Sequence, residues 1–135
     1  MSEEIKKGLL GIVVDETTIS HVVPELSALT YRGYKVQDLC DKCDFEEVAF
    51  LVLHGELPSK KQLKKFIKDE RANRKLSKTI IKNIQQMPKN AHPMDVIRTC
   101  VSLMALEDKD TKDNSPKANM RKALRIFSQT PTAVA

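Results

Sequence analysis

The stretch "CDFEEVAFLVLHGELPSKKQL", from Cys43 to Leu63, contains the strongest folding signals in the chain. Asp44 and Glu47 form a D-x-x-E pattern that is typical of a helix start, because the Asp carboxylate can accept hydrogen bonds from free N–H groups of the first turn. Residues 45–53 are apolar around much of a helix circumference, which predicts a helix buried from several sides. Gly55 suits the left-handed position that follows such a helix.

A second helix is predicted directly after the first. Pro58 prevents the first helix from continuing, and Ser59 with Gln62 forms another capping box. This helix is expected to run from about Lys60 to Asn73, with apolar residues on one side and a solvent-exposed, basic face on the other. The basic face holds Lys60, Lys64, Lys68, Arg71 and Lys75.

Further helices follow to the end of the sequence. Ser77 is expected to cap a helix that Pro88 stops, and His92 with Pro93 marks the start of the next one. A last helix begins near Pro116. Pro131 is expected to begin another turn. The predicted core stripes are Ile80, Ile81, Ile84 and Met87 in one helix, and Met94, Val96, Ile97, Cys100, Val101, Leu103 and Met104 in the next.

Residues 7–34 predict a small β region before the helices of residues 35–135. The β-branched residues 12–14, a turn at Asp15 and the extended residues 17–23 indicate a hairpin, which Pro24 closes because it cannot donate to a ladder. Leu29 and Tyr31 suit a third extended piece, Gly33 a turn, and residues 36–40 a short helix. The fold class is therefore mainly α with a small N-terminal β-hairpin.

Composition indicates a folded, soluble chain. Of 135 residues, 41% are hydrophobic and 30% are charged, which excludes a disordered class. The longest apolar run, residues 48–53, is too short to span a bilayer, and the N-terminus lacks the apolar region of a signal peptide. An odd number of cysteines, three, fits a reducing compartment and predicts a cytoplasmic location.

Positive charge is concentrated in residues 60–89, which hold eleven Lys or Arg against two acids. This concentration raises a nucleic-acid hypothesis. The run lacks the interleaved aromatic residues of single-strand binders, since Phe66 is its only ring and lies on the apolar side. A solvated helix face is the favoured interpretation, and a weak nucleic-acid binder using residues 60–75 is kept as an alternative.

The usual catalytic and metal-binding patterns are missing. Cys40 and Cys43 form a C-x-x-C, but no second pair completes a zinc site, so a structural role is favoured. Structural roles are also favoured for His21, in the β region, for His54, at a helix end, and for His92, at a helix start. The acids Asp108, Asp110 and Asp113 resemble a calcium loop but lack its central Gly and terminal Glu, so no metal is expected.

Four blocks together resemble the citrate synthase family, with bacterial 2-methylcitrate synthases and related citrate synthases most similar. The blocks are "KGLLGIVVDETTIS", "LTYRGYKVQDLC", "CDFEEVAFLVLHGELP" and "NAHPMDVIRTCVSLM". The resemblance implies a mostly helical homodimer with a large and a small domain. It also implies an acyltransferase that condenses acetyl-CoA or propionyl-CoA with oxaloacetate, with the coenzyme A thioester as substrate and no other cofactor.

The family's catalytic aspartate, its two histidines and its carboxylate-binding arginines lie after the part that residues 1–135 resemble. No catalytic, substrate-binding or metal-binding residue is therefore carried over to this chain. The resemblance implies the N-terminal portion of the large domain, without the small catalytic domain and inactive alone. The apolar ending "PTAVA" also suggests a chain cut within a larger core. A second copy or a full-length synthase is the expected partner, and a non-enzymatic interaction module is the alternative.

Overall fold

The computed structural model describes residues 7–9, 11–26 and 28–135. The chain divides into two compact units, residues 1–57 and residues 58–135. No helix in the described ranges is long and apolar enough to cross a membrane.

The first unit contains a three-stranded antiparallel sheet in the order β1 (Ser20–Val23), β2 (Ala28–Tyr31) and β3 (Tyr34–Lys35). Ser20 pairs with Tyr31 at one end of the β1–β2 ladder, and Tyr31 also pairs with Tyr34. Arg32 and Gly33 connect β2 to β3 with φ angles of 49° and 86°. Positive φ at both central residues is the geometry of a tight hairpin turn, so the predicted turn at Gly33 is confirmed. Short 3-10 helices span Lys7–Leu9 and Pro24–Leu26.

The predicted hairpin between residues 12–14 and 17–23 is wrong. Residues 12–14 form no strand, and only Ser20–Val23 of the second arm does. The side chains of Val13 and Val14 are 84% and 74% exposed, so their β-branched character meets no partner that would bury it within the described residues. The extended piece predicted at Leu29 and Tyr31 is the central strand of the sheet, because β1 and β3 both pair with it.

Two helices complete the first unit, α1 (Val36–Lys42) and α2 (Phe45–His54). The predicted D-x-x-E start is confirmed as a capping box of Asp44 and Glu47, in which the Asp44 N–H also donates to the Glu47 carboxylate at 2.8 Å. Gly55 has φ of 95° and donates its N–H to the Leu51 carbonyl at 2.8 Å, which ends the helix as predicted. Leu51 is fully buried, whereas Phe45 is 71% exposed, so α2 is not enclosed on all sides in this unit.

Four helices form the second unit: α3 (Lys60–Asn73), α4 (Lys78–Gln86), α5 (Pro93–Glu107) and α6 (Pro116–Val134). Each begins as the sequence predicts, because the side chain of the residue before it accepts an N–H group of the first turn. These capping residues are Ser59, Ser77, His92 and Ser115.

The core of the second unit is a cluster of four buried residues on and beside α4 and α5, namely Leu76, Ile80, Cys100 and Met104. Phe66 of α3 and Phe127 of α6 add a ring contact with centroids 6.3 Å apart. The prediction that Ile81 and Met94 belong to the core is wrong, since their side chains are 43% and 62% exposed. Ile81 lies about 100° around α4 from Ile80, and only Ile80 reaches the cluster.

The expected break at Pro131 is also wrong, because α6 continues through it to Val134. A proline inside a helix removes one hydrogen bond and costs about 3 kcal/mol in isolation. The continuation packs Ala133 against the core cluster, and the Ala135 N–H donates to the Pro131 carbonyl at 3.1 Å. These tertiary and local contacts offset the missing bond. The observed fold class is mainly α with a small antiparallel sheet, as predicted.

Candidate functional site

An arginine–aspartate cluster joins the loop after α5 to α6. Arg125 donates to both oxygens of Asp108, at 2.9 and 2.7 Å, and also to Asp110 at 2.7 Å. Arg121 donates to both oxygens of Asp110, at 2.9 and 2.7 Å. The flat guanidinium group matches a carboxylate at two points, so each pair fixes direction as well as distance. The cluster therefore orders the loop that the sequence marked only as polar.

The cluster keeps its carboxylates ionised. Hydrogen bonds from Arg125 lower the pKa of Asp108, and hydrogen bonds from Arg121 and then Arg125 lower the pKa of Asp110 well below its usual value of 3.8. The Ser115 N–H lowers the pKa of Asp113. Two of the three acids that resemble a calcium loop are thus bound to arginines. Within the described ranges, no group of three or more His, Cys, Asp or Glu side chains is placed to hold a metal ion.

Sequence reasoning missed this cluster. The available signal was the spacing of Arg121 and Arg125, four residues apart on one face of a helix, after a loop that carries Asp108 and Asp110 two residues apart. Opposite charges at such positions predict an ion-pair cluster as readily as a metal loop.

A cavity of about 300 Å³ lies beside Arg125 in the second unit. Several of its polar side chains are hydrogen-bonded inside the chain. The Ser77 hydroxyl donates to Glu107 at 2.9 Å, and the Gln129 amide donates to the Lys75 carbonyl at 3.4 Å. A second hollow, an apolar groove of about 520 Å³, lies among α4, α5 and α6 and includes Met87, Val96, Ile97, Ala133 and Val134. Neither presents an acid–base pair for catalysis.

The three histidines have local roles. His21 lies on β1 opposite Thr30 and is exposed. His54, the last residue of α2, stacks on Phe50 with ring centroids 4.1 Å apart, and partial burial lowers its pKa below the usual 6.5. His92 caps α5, with Nδ1 accepting the Met94 N–H at 3.2 Å. None of these placements is that of a nucleophile–base pair.

The cysteines are all free. Burial raises the pKa of the Cys43 thiol, and the neighbouring Glu47 and Asp44 raise it further. Burial likewise raises the pKa of Cys100. A raised pKa keeps a thiol protonated, and the thiolate is the nucleophile and metal ligand. The C-x-x-C of Cys40 and Cys43 thus lacks an activated thiol at Cys43.

Arg32 is a second residue that sequence reasoning did not single out. Its guanidinium donates to the carbonyl oxygen of Val52 from Nη2 at 3.0 Å and from Nε at 3.3 Å, and to the Thr18 hydroxyl at 2.7 Å. Val52 lies in the last turn of α2, where carbonyl groups have no partner within the helix. Arg32 therefore caps the C-terminal end of α2 from the β2–β3 turn. The "YRGY" block was the available signal.

The basic face of α3 consists of Lys60, Lys64, Lys68 and Arg71, and all four side chains are exposed. Lys75 is exposed too but follows the end of the helix. The predicted solvent-exposed, basic face is confirmed. The opposite side carries Phe66, which is only 6% exposed.

The described fold is that of a mainly α protein whose polar clusters order its helices and loops. Comparison with known families matches residues 8–135 to the family model described as "Citrate synthase, C-terminal domain". The chain belongs to the citrate synthase family, as the sequence resemblance indicated.

Two curated relatives illustrate the match. The chain is 49% identical over 132 residues to a 2-methylcitrate synthase of Mycobacterium tuberculosis, with 98% of this chain and 33% of the relative covered. It is 50% identical over 131 residues to a citrate synthase of Mycolicibacterium smegmatis, with 97% and 35% covered. The chain thus spans about a third of the length of these relatives.

Solved structures of citrate synthases have a similar fold over nearly the whole chain. The citrate synthase of Pyrobaculum aerophilum superposes with a TM-score of 0.86 at 28% identity, covering 93% of this chain and 34% of that one. The citrate synthase of Thermoplasma acidophilum, solved with carboxymethyl coenzyme A and oxaloacetate, gives a TM-score of 0.89 at 25% identity, covering 98% and 36%.

Proposed function

We propose that this chain forms a scaffold portion, at the N-terminal side of the large domain, of a synthase that condenses acetyl-CoA or propionyl-CoA with oxaloacetate. The observation that carries the proposal is the match over nearly the whole chain to proteins named 2-methylcitrate synthase and citrate synthase, at about a third of their length. In this proposal the coenzyme A thioester is a substrate, and no further cofactor takes part.

We also propose that residues 1–135 alone do not catalyse the condensation. The placement of the polar side chains supports this. His54 stacks on Phe50, His92 caps α5, and Arg125 is bound to two aspartates. Proton abstraction next to a thioester needs a positioned base and a group that stabilises the enolate. These side chains are instead engaged in ordering the fold.

The test measures release of coenzyme A with a thiol-reactive dye. Purified residues 1–135 receive oxaloacetate with either acetyl-CoA or propionyl-CoA, and we expect no release above the blank without protein. The chain is then mixed with the Mycolicibacterium smegmatis citrate synthase from which the matched third has been deleted. Restored release supports the scaffold role, and the preferred thioester identifies the substrate in the reconstituted enzyme. Steady turnover by residues 1–135 alone contradicts the proposal.

A second candidate function is association with a complete synthase chain or with a second copy. Two exposed apolar side chains, Met94 at 62% and Leu106 at 82%, and the apolar groove among α4, α5 and α6 favour it. Light scattering after gel filtration tests it, alone and with a full-length synthase. A strictly monomeric chain in both samples contradicts it. We further propose a cytoplasmic location, which the three free cysteines support.

A further inference from the structure

The basic face of α3 holds positive charge that the described residues do not neutralise. The ion pairs among the described residues lie elsewhere, and none involves Lys60, Lys64, Lys68 or Arg71. One of the two acids of α3 is also removed from the surface. Glu70 is only 4% exposed, and its carboxylate accepts the Arg74 Nε at 2.7 Å. The Glu70 carboxylate is therefore bound to Arg74 and does not offset the charge of the basic face.

The position of these charges along the helix is unfavourable without a bound anion. Lys60 and Lys61 are the first two residues of α3, whose first turn contains no acid. The N-terminal end of a helix is the positive end of its dipole, so cations there are repelled and anions are attracted. An anion on the basic face would relieve both this repulsion and the repulsion between the lysines.

The spacing of the basic face fits a linear polyanion better than a single phosphate group. Lys60, Lys64 and Lys68 follow one another every four residues, which places them about 6 Å apart along the helix axis. The row from Lys60 to Arg71 is about 17 Å long. One strand of duplex DNA presents a phosphate about every 3.4 Å along its axis, so several phosphates lie within reach of the row.

The surroundings favour a duplex over other polyanions. Phe66, the ring of α3, is buried and contacts Phe127, so no aromatic side chain of this helix is available to stack on unpaired bases. No large apolar side chain of α3 is among the exposed ones, so this helix has no anchor for a lipid surface. We propose that the basic face of α3 binds the phosphate backbone of double-stranded nucleic acid, weakly and without sequence preference. This inference does not depend on the proposed synthase activity.

The experiment titrates a fluorescent duplex of random sequence with residues 1–135 and measures anisotropy at several salt concentrations. Four cations on the phosphates predict a slope of about −3.6 for the logarithm of affinity against the logarithm of salt. The affinity is then expected to fall roughly 100-fold between about 50 and 200 mM salt. A single strand of the same length and phosphatidylserine vesicles are expected to bind more weakly than the duplex.

The key variant reverses three charges of the basic face, Lys64→Glu, Lys68→Glu and Arg71→Glu. Its matched control reverses three exposed lysines outside α3, Lys109→Glu, Lys112→Glu and Lys117→Glu, so both proteins have the same net charge. We expect the first to lose binding by at least about 100-fold at low salt and the second to lose far less, since Coulomb attraction to the whole chain is equal in both.

A milder variant, Lys64→Gln with Lys68→Gln, guards against a folding defect, and circular dichroism checks that the helices remain. Because two phosphate contacts are lost, the slope of log affinity against log salt is expected to become less negative by about 1.8. Three results would overturn the proposal: no salt-dependent binding by the chain, equal losses in the key variant and its control, or vesicles that bind at least as tightly as the duplex.

Discussion

Arg125 donates hydrogen bonds to both carboxylate oxygens of Asp108, from Nε at 2.9 Å and from Nη2 at 2.7 Å. The two side chains are 28% and 13% exposed, so solvent screens the pair only in part. The pair joins the residue after α5 to the middle of α6. It therefore fixes the path of a loop that has no apolar residue to bury.

Replacement of Arg125 should destabilise the second unit. Arg125→Lys keeps the charge and loses the two-point geometry, so we expect a loss of about 1 kcal/mol in the free energy of unfolding. Arg125→Met removes both arginine hydrogen bonds to Asp108 and leaves it only the Asp110 N–H at 2.7 Å, so a loss of about 2–3 kcal/mol is expected. Urea denaturation followed by circular dichroism measures both.

The matched control is Arg98→Met, which breaks the ion pair with Asp95 on the surface of α5. Those side chains are 77% and 59% exposed, so a loss below about 0.5 kcal/mol is expected. Similar losses at Arg98 and Arg125 would mean that the arginine–aspartate cluster has no special role in stability.

The cluster should make the chain sensitive to acid. In the folded chain the pKa values of Asp108 and Asp110 lie below their usual 3.8, so the unfolded chain takes up protons first as the pH falls. The stabilisation is complete above the unfolded value and is lost as the pH falls through it towards the folded values. Urea unfolding between about pH 6 and pH 3 measures this loss.

In Arg125→Met the same range of pH should change the free energy of unfolding less, because the lowered pKa of Asp108 comes mainly from Arg125. An unchanged pH dependence in this variant would show that other groups cause the acid sensitivity.

The contact of Arg32 with Val52 should hold the end of α2. Arg32→Asn removes the two hydrogen bonds to the Val52 carbonyl but tolerates the positive φ of 49°. We expect a loss of about 1–2 kcal/mol and faster hydrogen exchange in the last turn of α2. Exchange measured by NMR checks this, with amides of α5 as the internal reference. Unchanged exchange protection in the last turn of α2 would show that Arg32 does not stabilise this helix end.

Gly55 should be required by its backbone conformation and not by space. Its φ is 95°, and a Cβ atom added there would meet nothing within 4 Å. Gly55→Ala is therefore expected to lower the free energy of unfolding by about 1 kcal/mol through backbone strain alone. Gly55→Asn is the matched control and should lose less, because Asn adopts the left-handed conformation more readily. Thermal unfolding of both variants ranks them, and equal losses would point to a different cause.

The parts of the fold that the sequence predicted well depend on neighbours in the chain. The capping boxes at Asp44 and Ser59 and the start at Ser77 involve residues three positions apart, so their geometry is written into the local sequence. The family resemblance, carried by blocks such as "YRGY" and "HGELP", is confirmed by the match of residues 8–135. His92 as a cap is another local prediction that is confirmed.

The failures involve partners that are far apart in the chain or that depend on packing. Residues 12–14 have the composition of a strand but find no ladder, since β2 pairs with Ser20–Val23 and with Tyr34–Lys35. Pro131 predicts a helix break from the local sequence, but α6 continues because Ala133 packs against the core cluster. The arginine–aspartate cluster was missed because Arg121 and Arg125 lie on α6, whereas Asp108 and Asp110 lie in the loop before it.

The sequence by itself determined the helix starts, most helix ends, the basic face of α3 and membership of the citrate synthase family. The helix boundaries and the basic face rest on hydrogen bonds and side-chain periodicity within a few residues, whose energies hardly depend on the rest of the molecule. The family membership rests on the sequence blocks that the family model matches. Only the tertiary structure decided the strand pairing, the carbonyl that Arg32 caps, the two partners of Arg125 and the passage of α6 through Pro131. Each of these depends on groups brought together by burial, where the gain from packing or ion pairing outweighs a local preference.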